Sequence, residues 1–179
     1  MCAVRAWRSR VWSPAAVQPP GALLALTAPG GTGRHRPLPE AAEYRSMRSI
    51  ELDVDTSRTR IVDLTRELER FCADLGDGLV SVFVPHATAG LALMETGSGS
   101  EADLLAALDR LLPRDSRYQH AHGSPGHGAD HLLPALVSPS TTIPVLGGRI
   151  ALGTWQSLVL VDLNVDNPRR HVRFTFLPA

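Results

Sequence analysis

From Met47 onward the apolar and polar positions fall into regular periods. Ser49–Asp55 alternates, with Ile50, Leu52 and Val54 on one side, as in a strand buried on one face. Arg60–Leu75 carries Ile61, Leu64, Leu68, Phe71 and Leu75 at spacings of three or four, the apolar face of an amphipathic helix. Thr56, Ser57 or Thr59 can cap that helix and Gly76 ends it. Gly78–Pro85 is a β-branched run that reads as a buried strand, and Leu91–Met94 resumes an apolar strand ending at Glu95. Ser98-Gly-Ser-Glu101 has the form of a capping box opening a helix over Glu101–Leu112, which Pro113 stops. Asp130 can cap a short helix, His131–Val137. The last third is strand-like: Thr141–Val145, Ile150–Leu152, Thr154–Leu163 and His171–Phe176, with tight turns at Leu146–Arg149 and Asn164–Arg169. Short connections favour antiparallel pairing, because parallel pairs need long crossovers. The order predicts one α+β domain built on an antiparallel sheet or sandwich with a few flanking helices.

Composition changes the picture mainly for residues 1–46. They hold six of the fourteen prolines, two of the three tryptophans, six arginines and two acids, and no period persists through them. Their charge is +6 − 2 = +4, while residues 47–179 carry +12 − 16 = −4. A transit peptide, a signal peptide with Gly21–Ala28 as its apolar region, and a disordered extension ahead of a start at Met47 are the competing readings. The third is preferred, because the regular pattern begins immediately after Met47.

The net charge of the whole chain is zero, which leaves no basic surplus for nucleic acid. All 18 positive charges are arginine, so chemistry that needs a lysine nucleophile, Schiff base or P-loop lysine is excluded. Cys2 and Cys72 make neither a zinc pair nor a disulfide framework, which fits a reducing, cytoplasmic setting. No apolar run approaches the roughly 18 residues of a membrane-spanning helix, so no membrane partner is expected.

Four of the seven histidines fall in His120–His131, a glycine- and proline-interrupted loop. Histidine is the commonest protein metal ligand, and three imidazoles leave an open position on a divalent ion. His86, at the end of a buried strand, is the distant candidate, as ligand, catalytic base or simply a satisfied imidazole. His122 and His127 compete with His120 and His131 from within the loop. A hairpin between the strands flanking His86 would bring Glu95 to the same sheet end, as general base, partner of an imidazole or solvated acid. Gly153-Thr-Trp-Gln156 sets Trp155 beside Gln156, a pair able to stack on and hydrogen-bond a flat heterocycle, although a strand tryptophan is most often core. Arg149 and Arg169-Arg170 lie in turns where a guanidinium can grip a phosphate.

Several of these blocks resemble the YjbQ family, also called secondary thiamine-phosphate synthase proteins. They are His86-Ala-Thr-Ala-Gly-Leu with Glu95 downstream, Leu111-x-Pro113, Tyr118-x-His120, Asp130-His131 and Ser140-x-x-Ile-Pro144. Gly148-Arg-Ile-Ala-Leu-Gly-Thr-Trp-Gln156 and Asp166-Asn-Pro-Arg169 complete the set. The resemblance covers about Met47 to Ala179. It implies a β-sandwich assembled as a homotrimer, and a divalent metal, zinc or magnesium, on His86, His120 and His131 near the subunit interface. It also implies a transferase joining a hydroxymethylpyrimidine diphosphate to a thiazole phosphate. On that reading Glu95 and Gln156 are catalytic, while Arg149, Trp155 and Arg169 hold the small phosphorylated substrate. His122 and His127 fall back to residues of a solvated loop, and the loop between His120 and His131 becomes a candidate lid over the site. The chain departs from the family pattern at Ala87, Asp162 and Asn167, where a hydroxyl residue, a glutamate and a glycine are common. The rival expectation is a homotrimer that binds a metabolite or anion without turnover around a His-ligated metal, and a further one is a zinc-carrying structural trimer.

Overall fold

The computed structural model of the chain describes residues 4–8 and 47–179. Among the described residues, nine strands form two sheets. The larger contains β1 (Val4–Arg8), β2 (Arg48–Asp55), β9 (Arg169–Pro178), β4 (Gly78–Phe83), β6 (Ser140–Leu146) and β7 (Arg149–Ile150), in that spatial order. The smaller is β3 (Ile61–Asp63), β8 (Ser157–Asp162) and β5 (Ala89–Met94), with β8 in the middle. All pairings are antiparallel. Helices α1 (Thr65–Cys72) and α2 (Ser100–Leu111) and the single turns α3 (His127–Asp130) and α4 (Leu133–Leu136) complete the described elements. This is the α+β antiparallel sandwich that the strand order predicts.

The alternating strands bury one face each. Leu52 and Val54 of β2, Val80 and Val82 of β4, Ile143 and Val145 of β6, and Phe174 and Phe176 of β9 point inward. They meet Leu91 of β5, Leu158 and Leu160 of β8, and Leu64 and Leu68 from the α1 region. The other face of the small sheet is covered in turn. Val159 and Val161 of β8 pack under Leu108 and Leu112 of the α2 region and Leu133 of α4. Strand β8 is therefore buried on both faces, which is why Leu158–Val161 is an unbroken apolar run.

Four expectations are corrected. The helical period over residues 60–75 contains a short strand: Ile61 and Val62 pair with Val161 and Leu160, and the Asp63 carboxylate accepts from the Thr65 amide where α1 begins. The β-branched pair is worth more as a third strand on β8 than as a helical turn. Strands β4 and β5 form no hairpin, because β4 sits between β9 and β6 while β5 pairs with β8 in the opposite sheet. The box at residues 98–101 is not a reciprocal cap. Gly99, at φ 96, precedes the helix, and the Glu101 side chain accepts from the Gly97 amide at 2.8 Å. Asp130 caps no helix; it is the last residue of α3 and fully buried. At the N-terminus, Val4–Arg8 pairs with β2 at Val4↔Val54 and Arg5↔Asp53. The remainder of residues 1–46 lies outside the described residues.

Cys72 is packed beside Leu68 and Phe71, as its position on the apolar face suggests. Burial pushes its thiol up to about 11. A rise of that size leaves about a hundredfold less thiolate near neutral pH than in an exposed thiol. In a Cys2→Ala background, a disulfide reagent is expected to label Cys72 only as fast as the protein unfolds. Rapid labelling of the native protein would contradict the packing.

Candidate metal centre

The centre is built where β8 runs out of the sandwich. Asp162 ends the strand, and Asn164 opens a turn in which its side-chain oxygen accepts from the amides of Asp166 (2.8 Å) and Asn167 (3.0 Å). Asparagine is suited to this role, since its side chain mimics a backbone turn. The turn aims the Asp166 carboxylate at the His loop, where it accepts from the Ser124 amide at 3.2 Å and lies 2.8 Å from Nδ1 of His127. The Asn164 amide nitrogen is 3.2 Å from the same Nδ1 and 3.2 Å from Asp130. A donor cannot receive the Nδ1 proton, so that proton points to Asp166 and the Asn164 amide serves Asp130. The tautomer this fixes places the His127 lone pair on Nε2.

Helix α3 is anchored from below. Asp130 has no exposed surface and pairs with both guanidinium nitrogens of Arg114, which also donates to the Leu163 carbonyl. Gly128 lets α3 approach the loop: a Cβ there would lie 2.6 Å from the His120 carbonyl and from the Tyr118 side chain. No larger residue permits this approach.

The result is a group of imidazoles. Nε2 of His131 is 3.0 Å from Nε2 of His127, and the His120 ring centroid is 4.3 Å from that of His131. One nitrogen from each of His120, His127 and His131 falls within 4.8 Å of the others. Two nitrogens on one zinc ion at about 2.0–2.1 Å must themselves be about 3 Å apart, so the His127–His131 spacing is already that of a chelate. His122 meets His120 edge to face, centroid to centroid at 4.1 Å. A cavity of about 320 Å³ opens along His120, His122 and His127. His120 and His131 are held below the usual histidine range, by burial first and then by the charges of the neighbouring rings. Both are therefore neutral, with lone pairs available, at physiological pH.

The structure divides the residues singled out in the sequence. It brings His120 and His131 together, with His127 rather than His86 as the third imidazole. His86 sits beyond β4, where its Nε2 accepts from the His171 amide at 3.0 Å and its ring stacks on His171. Burial and then Arg170 and His171 hold His86 below the usual range. With Nε2 occupied, His86 is a neutral ring that presents an Nδ1–H donor. Glu95 and His86 lie at opposite ends of β5, because the hairpin expected to join them does not exist. Glu95, Trp155 and Gln156 share the end of the small sheet where Met94 pairs with Ser157, away from Asp162 and Asn164. Trp155 is 73% exposed rather than core, and the Gln156 side chain closes its own loop by accepting from the Gly153 amide at 2.9 Å. Arg149 lines a separate cavity with Glu69 and Ala73 of the α1 region. Arg169 begins β9 opposite Asp55.

Sequence reasoning discounted His127 and passed over Asn164 and Asp166 as site residues. The first had a signal: His127 and His131 are four residues apart, the spacing that stacks two side chains on one helical face. The other two were recognisable only as turn residues.

The profile described as "UPF0047 protein YjbQ-like" matches residues 50–179. The chain belongs to this YjbQ/UPF0047 family. A UPF0047 protein of Mycobacterium bovis is 68% identical over 126 residues, covering 70% of this chain and 98% of its own length. The UPF0047 protein YugU of Bacillus subtilis is 31% identical over 117 residues, covering 64% and 86%. Among solved structures, a hypothetical protein from Aeropyrum pernix superposes with a TM-score of 0.66 at 29% identity, covering 74% of this chain and 99% of that one. A YjbQ/UPF0047 protein from Clostridium acetobutylicum gives 0.63 at 28% identity, covering 72% and 99%. The YjbQ match thus spans both sheets and the whole His loop, while β1 precedes it.

Proposed function

We propose that this YjbQ protein is a zinc-dependent enzyme acting on a small phosphorylated substrate at His120, His127 and His131. The observation that carries the proposal is the 3.0 Å approach of two Nε2 atoms, one of them on a ring whose other nitrogen is held by Asp166. Imidazole donors favour zinc over magnesium, which takes oxygen ligands. Three ligands leave one position open to the adjoining cavity, the arrangement of catalytic rather than structural sites. When bound, such an ion neutralises and polarises phosphate oxygens. The residues of the chain supply orientation: Asp166 fixes the His127 tautomer, and Asp130 with Arg114 fixes the turn that carries His127.

The reaction to test is the one the family resemblance implies. The thiazole nitrogen of a thiazole phosphate would bond to the methylene carbon of a hydroxymethylpyrimidine diphosphate, whose carbon–oxygen bond breaks to release diphosphate. Assembly as a homotrimer is part of the proposal, and Trp155 is a large aromatic that a monomer leaves in water. Within one chain, Glu95 and Gln156 are at the wrong end of β8 to act at the metal.

The experiment is to purify the full chain, measure bound zinc, and follow product formation before and after chelation. Stoichiometric zinc with turnover that chelation abolishes is expected. Protein that retains no zinc when supplied with it sinks the metal centre. Zinc without turnover selects the binding-module alternative.

A further inference from the structure

A second cleft lies between the β2–β3 loop, residues 56–60, and the turn that follows β8. It has a volume of about 290 Å³, near the lower end for ligand pockets. Its frame is stapled: the Thr56 amide and hydroxyl lie 2.8 and 3.0 Å from the Pro168 carbonyl, and the hydroxyl lies 2.7 Å from the Asp162 carboxylate. A frame already closed in this way has little ordering cost left when a ligand binds.

Its charges are unbalanced. Asp162 is the acid in the wall, and Arg170 already neutralises it through two contacts, at 2.7 and 3.0 Å. Arg60 reaches only Asp109, at 3.9 Å, with both side chains about half exposed. Arg58 has no carboxylate within 4.0 Å among the described residues. Asp55, at the outer end, is turned back to accept from the Ser57 amide at 2.9 Å. Arg58 and Arg60 therefore line a cleft whose one acid, Asp162, is already paired. On its other side stand Leu163, Val165 and Pro168.

We infer that this cleft is a binding site for a small phosphate monoester. The guanidinium forks of Arg58 and Arg60 match phosphate oxygens bidentately. The organic group lies against the Leu163–Pro168 wall. The inference stands apart from the metal centre, although Asn164 belongs to both: its side chain serves the imidazole side and its residue lines the cleft. It also replaces Arg149 and Arg169 as phosphate ligands with two arginines for which the sequence offered no motif.

The test is calorimetric titration of the full chain with phenyl phosphate and with inorganic phosphate at low salt. Phenyl phosphate is expected to bind, and more tightly than inorganic phosphate. Arg58→Gln and Arg60→Gln are each expected to weaken it at least tenfold. Arg149→Gln, which removes the same charge at another cavity, is expected to leave it unchanged, as is prior stripping of metal. Asp109→Asn, which frees Arg60, is expected to tighten binding and needs no arginine removed. No binding by the wild type overturns the inference. So does equal affinity in Arg58→Gln and Arg60→Gln, or an equal loss in Arg149→Gln, which would mean net charge alone. Loss of phosphate binding only on chelation would instead place the anion at the metal.

Discussion

His127→Ala is expected to lower zinc affinity by about a hundredfold or more, measured by competition with a chelating dye. It removes one of three ligands from a site already at chelate spacing, whereas loss of a group that only orients a ligand costs about 10–100-fold. Asp166→Asn belongs to that milder class, since it leaves the imidazole and weakens only its anchor. His131→Ala is expected to match His127→Ala. The informative comparison is His86→Ala. In the structure His86 is bound to the β9 backbone and is expected to leave zinc affinity unchanged. If His86→Ala empties the site while His127→Ala does not, the ligand set implied by family resemblance is right and the set assembled in one chain is wrong.

Asp162→Ala is expected to destabilise the fold by about 3–5 kcal/mol, read from urea unfolding. Arg170 is 2% exposed, and Asp162 neutralises it at the edge of the core where the two sheets meet. Removing the carboxylate leaves a buried guanidinium whose remaining side-chain partner is the Thr88 hydroxyl, at 3.2 Å. The converse test is to replace both partners with apolar residues of similar size, as in Asp162→Leu with Arg170→Met. That double variant is expected to recover most of the loss, because two charges no longer need to be desolvated. If Asp162→Ala costs less than about 1 kcal/mol, the pair is wetter than its burial shows.

Strands β2 and β9 were legible because one face of each is wet and the alternation is clean, and β4 was legible as a β-branched run. Strand β8 was legible for the opposite reason, as an apolar run with no wet face. Residues 61–75 misled because Leu64 and Leu68 keep helical spacing across the join between β3 and α1, and a period alone does not register a strand that another strand captures. The β4–β5 hairpin failed for a related reason. Nothing local to Pro85–Thr88 records that the chain changes sheets there, since the partner that draws β5 away is about seventy residues further on. In the candidate site, His120 and His131 were legible from density and residue type. His127 was discounted although its four-residue spacing to His131 was in view. Asp166 and Asn164 act through a turn that closes onto the His loop only in three dimensions.

Strand β8 has a consequence for how such proteins diversify. With side chains packed above and below, it offers no position from Leu158 to Val161 that can turn polar or change size without disturbing a core. Its two ends escape that constraint. One opens into the loop bearing Trp155 and Gln156, the other into the turn bearing Asn164 and Asp166. Six residues of strand separate them by roughly 17 Å. The middle of the strand acts as a fixed spacer between two variable ends. New binding preferences can then be acquired at either end while the other, and the sandwich between them, stays as it was.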